Sequence, residues 1–104
     1  MLDQETNIKF APISVIIPCF NSSETIEKCL SSVINQTLLP SEILLIDDCS
    51  SDKGLTKKCL KTLQEKYNDK VSIKTFFSSS NKGPGSSRNL GWENANYTYL
   101  AFLD

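Results

Sequence analysis

Carboxylate side chains follow apolar runs at two points of this 104-residue chain. Asp47 and Asp48 end the run at residues 43–46, and Asp104 ends the run YTYLAFL at residues 97–103. Carboxylates in such positions can hold a divalent metal ion through their oxygens, or accept hydrogen bonds from a nucleobase or ribose. The chain has no histidine, which removes the commonest general base and metal ligand. The sequence therefore offers carboxylate chemistry.

Arg88 is the candidate cation beside these acids. It follows residues 78–87 (SSSNKGPGSS), a predicted flexible loop whose glycines would let the backbone approach a ligand closely. A guanidinium group there would bind phosphate oxygens. A competing structural interpretation makes Asp47 and Asp48 turn and helix-cap residues, and it makes Arg88 a solvated surface charge.

Four apolar runs have the composition of strands. The first run (ISVII) is rich in β-branched residues with little alternation, which favours a parallel strand buried on both faces, and the third run alternates in part. We expect Pro18 to end the first strand, because proline cannot donate to a central ladder. The predicted strands are residues 13–17, 42–47, 71–77 and 97–103.

Apolar residues recur at helical intervals between these strands. Asn21 and Glu24 have the spacing of a capping box at the start of the first helix. Residues 1–11 are expected to form a polar lead-in before the first strand. The predicted helices run from residue 21 to about 36, from 55 to 67, and from 88 to 95.

The predicted order of elements is β-α-β-α-β-loop-α-β. Right-handed crossovers then favour an α/β fold of three layers, with a mainly parallel, Rossmann-like sheet in the strand order 3-2-1-4. The carboxyl ends of strands one, two and four would bring residues 18–21, residues 47–48 and Asp104 to one crevice. Ligands of open α/β sheets bind at that edge of the sheet.

Length and composition indicate one globular domain and exclude several classes of function. The net charge of −1 provides no basic surface for nucleic acid or for an anionic membrane. No segment resembles a signal peptide or a membrane span, so we expect a cytoplasmic location, with any membrane association supplied by other parts of a parent protein.

The four cysteines stand at positions 19, 29, 49 and 59, as two pairs with nine intervening residues. A twin CX9C hairpin would require helices at all four positions. Cys19 and Cys49 follow strand-like runs instead, so we expect four free thiols. CXXC spacing is absent, which argues against a zinc site.

Five motifs, in this order and spacing, resemble the N-terminal half of the GT-A fold of family 2 glycosyltransferases. The motifs are SVIIPCFN (14–21), LSSVINQT (30–37), EILLIDDCSSD (42–52), NKGPGSSRNLG (81–91) and YLAFLD (99–104). The resemblance covers residues 13–104. It implies that the parent enzyme transfers a sugar, with inversion, from a UDP-sugar or another nucleotide-sugar to a saccharide, lipid or protein acceptor.

The resemblance also implies roles for individual residues. Asp48 would accept a hydrogen bond from the uracil of the donor, and Asp47 would support the loop beside it. Asp104 matches the first acid of the DXD motif, whose carboxylates hold Mn²⁺ or Mg²⁺ on the diphosphate. The further residues that would line the nucleotide pocket, or lie near the base and phosphates, are Pro18, Phe20, Glu24, Gly83 and Arg88.

Three departures from the family pattern matter for these expectations. Cys49 stands where the family usually has glycine, and Ser87 stands where it usually has alanine. The sequence stops at Asp104, before the rest of the DXD motif, the acceptor half and the catalytic base. We therefore expect this chain to bind the nucleotide of a larger enzyme without catalysing transfer efficiently by itself.

Two other classes of function remain open. The chain could be a nucleotide-binding module with no transfer chemistry. It could also be a self-associating protein that forms a homodimer through an exposed edge at YTYLAFL, because an apolar edge strand promotes association.

Overall fold

The computed structural model describes residues 9–97 and 99–103, which form a four-stranded sheet and three helices. The order across the sheet is β3-β2-β1-β4, and every neighbouring pair is parallel. The predicted α/β fold and the strand order 3-2-1-4 are therefore confirmed. The strands are β1 (Lys9–Cys19), β2 (Leu38–Asp47), β3 (Ser72–Phe77) and β4 (Tyr99–Phe102), and the helices are α1 (Ile26–Ile34), α2 (Leu55–Tyr67) and α3 (Pro84–Asn94).

The helices cover both faces of the sheet. Successive side chains of a strand point to opposite faces, so the strands contribute to a core on each side. On one face, Ile17 and Leu45 belong to a core that includes Leu30 of α1 and Leu60 of α2. On the other face, Ile16, Leu44 and Ile46 form a smaller core against which Leu90 of α3 packs. This arrangement gives the three layers expected from the sequence.

Both central strands begin earlier than the sequence patterns indicated. β1 starts at Lys9, inside the predicted lead-in of residues 1–11, where Lys9 pairs with Leu38 and Phe10 pairs with Leu39. The register shifts between Ala11 and Ser14, so this first segment is separated from the rest of the ladder by an irregularity. Polar content at the start of the chain concealed the extra pairs.

Pro18 ends one ladder of β1 but not the other. The carbonyl of Ile16 accepts from Leu103 N–H on the β4 side, and the carbonyl of Cys19 accepts from Asp48 N–H on the β2 side. Since backbone groups alternate sides along a strand, the nitrogen of Pro18 faces β4, where the pairing has stopped. Pro18 therefore stays within β1, in register with Ile46.

Helix boundaries also differ from the prediction. Thr25 is the N-cap of α1 and makes no side-chain cap bond, so the predicted capping box of Asn21 and Glu24 is wrong. Helix α3 begins at Pro84, inside the predicted flexible loop, because proline fits the first turn of a helix. Arg88 consequently lies in the second turn of α3, not at its start.

The edge of the sheet at β4 is the surface for which the sequence predicted self-association. β4 is an edge strand of the described sheet, and the rings of Tyr99 and Phe102 are exposed. Self-association through this edge stays a prediction.

The cysteines are free, and Cys19 lies in β1, which excludes a twin helical hairpin. No helix within residues 9–97 and 99–103 is long and apolar enough to cross a membrane.

Gly91 lets α3 lie close to the sheet. A Cβ added at this position would lie 2.5 Å from Cγ2 of Ile16, a residue that is fully buried. No side chain fits there unless the sheet or the helix moves. Gly85, on the first turn of the same helix, has open space where its Cβ would be.

We expect Gly91→Ala to lower the free energy of unfolding by about 1–3 kcal/mol, because the new methyl group overpacks the contact with Ile16. Gly85→Ala is the matched control, and alanine's better helix propensity makes it neutral or stabilising by up to about 1 kcal/mol. Urea denaturation of the two variants checks this. Equal effects would show that α3 does not approach the sheet as described.

Glu42 is a buried carboxylate that joins three strands to the segment before β4. It is 2% exposed and accepts hydrogen bonds from Ser14 Oγ at 2.7 Å and from Asn96 N–H at 2.6 Å. The ammonium group of Lys74 on β3 lies 2.9 Å away. Burial alone would raise the pKa of Glu42, but these donors outweigh it and hold the pKa below its usual value.

We expect Glu42→Gln to lower the free energy of unfolding at pH 7 by about 2 kcal/mol, since it removes a charge-assisted acceptor. A depressed carboxyl pKa stabilises the fold above the unfolded-state pKa of about 4.3, and that stabilisation is lost as pH falls through the folded-state pKa. In urea denaturation, the difference in the free energy of unfolding between wild type and Glu42→Gln should therefore shrink from pH 6 to pH 3.

Glu27→Gln is the control, because its ion pair with Lys66 lies on the surface with both side chains more than half exposed. It should change the free energy of unfolding by no more than about 0.5 kcal/mol at either pH. A gap for Glu42→Gln that is independent of pH would contradict the assigned role of its charge.

Candidate functional site

A pocket of about 310 Å³ opens at the carboxyl edge of the sheet. Its walls come from three separate stretches of chain: the end of β1, the end of β2 and the loop before α3. The lining residues are Phe20, Asp48, Asn81, Gly83 and Pro84. Three residues predicted from the sequence, Phe20, Asp48 and Gly83, are thus brought together.

Asp48 is the centre of this site. Its side chain is buried, its Oδ1 accepts from Lys82 N–H at 2.9 Å, and its Oδ2 accepts from Gly83 N–H at 2.7 Å. One carboxylate therefore holds the loop that leads into α3 against the end of β2. An ionised carboxylate offers about four acceptor positions, so each oxygen can accept one more hydrogen bond.

The backbone of Gly83 explains why glycine is needed in this loop. Its φ of 93° and ψ of 165° fall in a region that is almost restricted to glycine. That conformation directs its N–H to Asp48 while the chain turns into α3. The space around its Cα is open, so the constraint comes from the backbone and not from crowding.

Asp47 is buried and points to its own turn. Its carboxylate accepts from the hydroxyl of Ser50 and, at 3.2 Å, from Ser50 N–H. Its carbonyl accepts from Ser78 N–H at 2.9 Å, beyond the end of β3. The two adjacent acids therefore have different surroundings: Asp47 organises the turn after β2, and Asp48 faces the pocket.

Cys19 pairs with Asp47 in the ladder between β1 and β2 and is 1% exposed. Burial raises the pKa of its thiol to about 12, and the negative charge of Asp47 contributes in the same direction. The thiol is therefore neutral at physiological pH. A neutral, buried thiol is unsuited to nucleophilic chemistry or metal binding.

The other predicted site residues lie apart from the pocket lining. Pro18 is half-buried within β1, Glu24 is exposed on the turn before α1, and Arg88 is half-buried in α3. Asp104 lies outside the described residues. Within residues 9–97 and 99–103, no group of three or more His, Cys, Asp or Glu side chains could hold a metal ion.

Sequence reasoning missed several residues of the site. Asn81 and Pro84 line the pocket, yet they were placed in a loop without individual roles. Asn21 was interpreted as a helix cap, but its side chain bonds to Ser51 across the turn after β2. The proline at the entrance to a helix was a usable signal, whereas the partner of Asn21 depends on tertiary contacts.

A larger pocket of about 550 Å³ lies at the opposite, amino edge of the sheet, and its walls include Phe10, Lys70 and Tyr97. Size alone does not make it the functional site. Ligands of parallel α/β sheets bind beyond the carboxyl ends of the strands, where loops from different strands meet. The smaller pocket meets that condition and contains the buried carboxylate.

The sequence model described as glycosyl transferase family 2 matches residues 14–104. The chain belongs to glycosyl transferase family 2. The family suggested by the five sequence motifs is therefore confirmed. The site at the carboxyl edge lies within the matched region.

Two curated relatives give the scale of the similarity. The chain is 40% identical over 92 residues to the cholesterol galactosyltransferase of Borreliella burgdorferi, covering 88% of this chain and 24% of that protein. It is 37% identical over 94 residues to the poly(ribitol-phosphate) beta-glucosyltransferase of Bacillus spizizenii, covering 88% of this chain and 14% of that protein. The chain thus spans about a quarter or less of these two relatives.

Two solved glycosyltransferase structures have the same fold. Residues 1–349 of S. aureus TarS superpose with a TM-score of 0.71 at 34% identity, covering 92% of this chain and 27% of that one. The mannosyltransferase PcManGT from Pyrobaculum calidifontis, solved with GDP-Man and Mn²⁺, gives 0.70 at 22% identity, covering 82% and 24%. The second likeness shows the fold alone. Together they confirm the GT-A assignment.

Cys49 follows Asp48 with a φ of 56°, in the left-handed region. This is the position where the sequence departs from the usual glycine of the family. A side chain with a Cβ is strained there, while glycine is not.

We expect Cys49→Gly to be more stable than Cys49→Ala by about 1 kcal/mol, because only glycine relieves the left-handed conformation. The two variants both remove the sulfur, so their comparison isolates the effect of the Cβ. Thermal and urea unfolding of the pair measures the difference. An alanine variant as stable as the glycine variant would contradict the left-handed backbone at residue 49.

Proposed function

We propose that this chain forms the nucleotide-binding part of an enzyme that transfers a sugar, with inversion, from a UDP-sugar or another nucleotide-sugar. The observation that supports the proposal most directly is the buried carboxylate of Asp48, fixed by Lys82 N–H and Gly83 N–H in a pocket at the carboxyl edge. Membership of the family supplies the reaction class. The sugar is proposed to be a hexose or an N-acetylhexosamine.

The remaining acceptor capacity of Asp48 suits a nucleobase with a ring N–H. Uracil presents such a donor at N3, flanked by two carbonyls. Each carboxylate oxygen of Asp48 has already accepted one backbone N–H, which fixes the direction in which a further donor must approach. Phe20 supplies an exposed aromatic ring in the same pocket, on which a planar base can stack.

The diphosphate and the metal would be bound by residues other than those that line the pocket. Asp104 is the residue of this chain that would contribute a carboxylate to Mn²⁺ or Mg²⁺, and a metal there would neutralise charge on the departing diphosphate. The described residues contain no metal-binding cluster of their own. Arg88, Glu24 and Pro18 stay predicted contacts of the nucleotide.

We propose a saccharide, lipid or protein acceptor and no nucleic acid. A cytoplasmic location, and low transfer activity of the 104-residue chain by itself, also stay predictions. The alternative of a nucleotide-binding module without transfer chemistry makes the same prediction for binding and differs only in the activity of the whole protein.

The test uses calorimetric titration of the chain with UDP and with N3-methyl-UDP, each with and without Mn²⁺. Methylation removes the N3 donor and leaves ribose and diphosphate unchanged. We expect N3-methyl-UDP to bind at least tenfold more weakly, about 1.4 kcal/mol, because it cannot donate to Asp48 and places a methyl group against a buried carboxylate.

Asp48→Asn provides the matching change on the protein. It keeps the size of the side chain but replaces one acceptor with a donor, so it should reduce UDP affinity and narrow the difference between the two ligands. Circular dichroism confirms that the variant is folded. Equal affinity of wild type for UDP and N3-methyl-UDP would overturn the placement of the base at Asp48. A chain that binds neither UDP nor any other nucleoside diphosphate would overturn the proposed function.

A further inference from the structure

The loop between β1 and α1 is attached to the turn after β2 by the side chain of Asn21. Its Oδ1 accepts from Ser51 N–H at 2.8 Å, and its Nδ2 donates to Ser51 Oγ at 3.2 Å. The φ of Asn21 is 49°, in the left-handed region that asparagine tolerates better than most residues. The side chain and the backbone of Asn21 therefore both favour this attachment of the loop to the turn after β2.

A second connection runs through the backbone of the same residue to a buried charge. Asn21 N–H donates to Ser50 Oγ at 2.9 Å, and the Ser50 hydroxyl donates to the carboxylate of Asp47. A hydroxyl that donates to a carboxylate becomes a better acceptor, because hydrogen bonds in a chain polarise one another. Asp47, Ser50 and Asn21 thus form a continuous relay, named here the Asp47 relay.

Phe20 stands at the end of this relay. Its N–H donates to Ser22 Oγ at 3.0 Å, and the hydroxyl of Ser22 donates back to the carbonyl of Phe20 at 3.1 Å. The N–H of Ser22 in turn donates to Thr56 Oγ1 at 2.9 Å, on the first turn of α2. The backbone on both sides of Phe20 is held by side chains.

The ring of Phe20 is nevertheless 45% exposed and lines the pocket. Core packing does not explain its position, because nearly half of the residue's surface remains accessible to solvent. Large apolar side chains are usually buried, and an ordered loop that presents one to a pocket requires a source of order other than burial. The hydrogen bonds of the Asp47 relay and of Ser22 supply that order.

We propose that the Asp47 relay holds Phe20 in place to stack on the base of the bound nucleotide, so that Asp47, Ser50 and Asn21 are positioning residues that do not themselves contact the ligand. This inference rests on the proposed function. The two adjacent acids then have different roles. Asp48 binds the edge of the base, and Asp47 positions the Phe20 ring that stacks on the face of the base.

A role limited to stability makes different predictions. Loss of the relay would then lower the unfolding temperature and would leave the affinity of the folded protein for UDP unchanged. A positioning role requires that loss of the relay and loss of the ring weaken UDP binding through the same interaction. Double-mutant cycles measure such a dependence.

The experiment measures UDP affinity by calorimetry for Ser50→Ala, Phe20→Leu and the double variant, well below their unfolding temperatures. We expect each single change to weaken UDP binding about fivefold to tenfold. The double variant should bind UDP with the affinity of the single variant that binds less tightly, so that the two effects do not multiply. Ser50→Thr keeps the hydroxyl and should restore most of the affinity. A parallel cycle with Asn21→Gly, which keeps the left-handed backbone without strain, should give the same coupling.

Each outcome decides between the two roles. Multiplicative effects of Ser50→Ala and Phe20→Leu, or a Ser50→Thr variant as weak as Ser50→Ala, would overturn the inference while wild-type UDP binding left the proposed function intact. Should Asn21→Gly fail to fold, the Ser50 cycle decides alone, because it leaves both bonds between the Asn21 side chain and Ser51 in place. If wild type bound no nucleoside diphosphate, UDP included, both proposals would be refuted together.

Discussion

The site depends on one carboxylate that binds two consecutive backbone N–H groups. Asp48 accepts from Lys82 and Gly83, and this interaction fixes the loop before α3 against the end of β2. Gly83 in that loop lines the pocket together with Phe20. A buried carboxylate is stable only when donors satisfy it, and backbone donors are the least mobile that a protein offers. The same interaction therefore builds the pocket and orients the group that would bind a ligand.

The order of the strands explains why this carboxylate meets that loop. β1 lies between β2 and β4, so the chain crosses the sheet after β3 and passes over the carboxyl edge before α3 begins. Gly91 then allows α3 to lie directly on Ile16, and Glu42 fixes Asn96 at the far end of the helix. The packing at Gly91 and the hydrogen bond at Asn96 both hold the carboxyl end of α3, while the bonds from Lys82 N–H and Gly83 N–H hold its amino end beside Asp48.

Local patterns and the handedness of crossovers predicted the strand order and the meeting of Phe20 and Asp48 at one edge of the sheet, whereas the resemblance to the family predicted Gly83 there. The sequence did not predict that Asn21 bonds to Ser51, since a side-chain partner 30 residues away leaves no periodic signal. The extension of β1 to Lys9 was missed for a similar reason: a short segment that follows a polar stretch looks like a loop until a partner strand satisfies its backbone groups.

The most direct test of the central claim is an NMR titration of isotopically labelled protein with UDP. Binding at the carboxyl edge predicts that the amide signals of Phe20, Lys82 and Gly83 shift together with one dissociation constant, while those of Lys70 and Tyr97 at the amino edge stay unchanged. Shifts concentrated at Lys70 and Tyr97, with Lys82 and Gly83 unaffected, would contradict the account, because they would place the nucleotide in the pocket that lacks the carboxylate of Asp48.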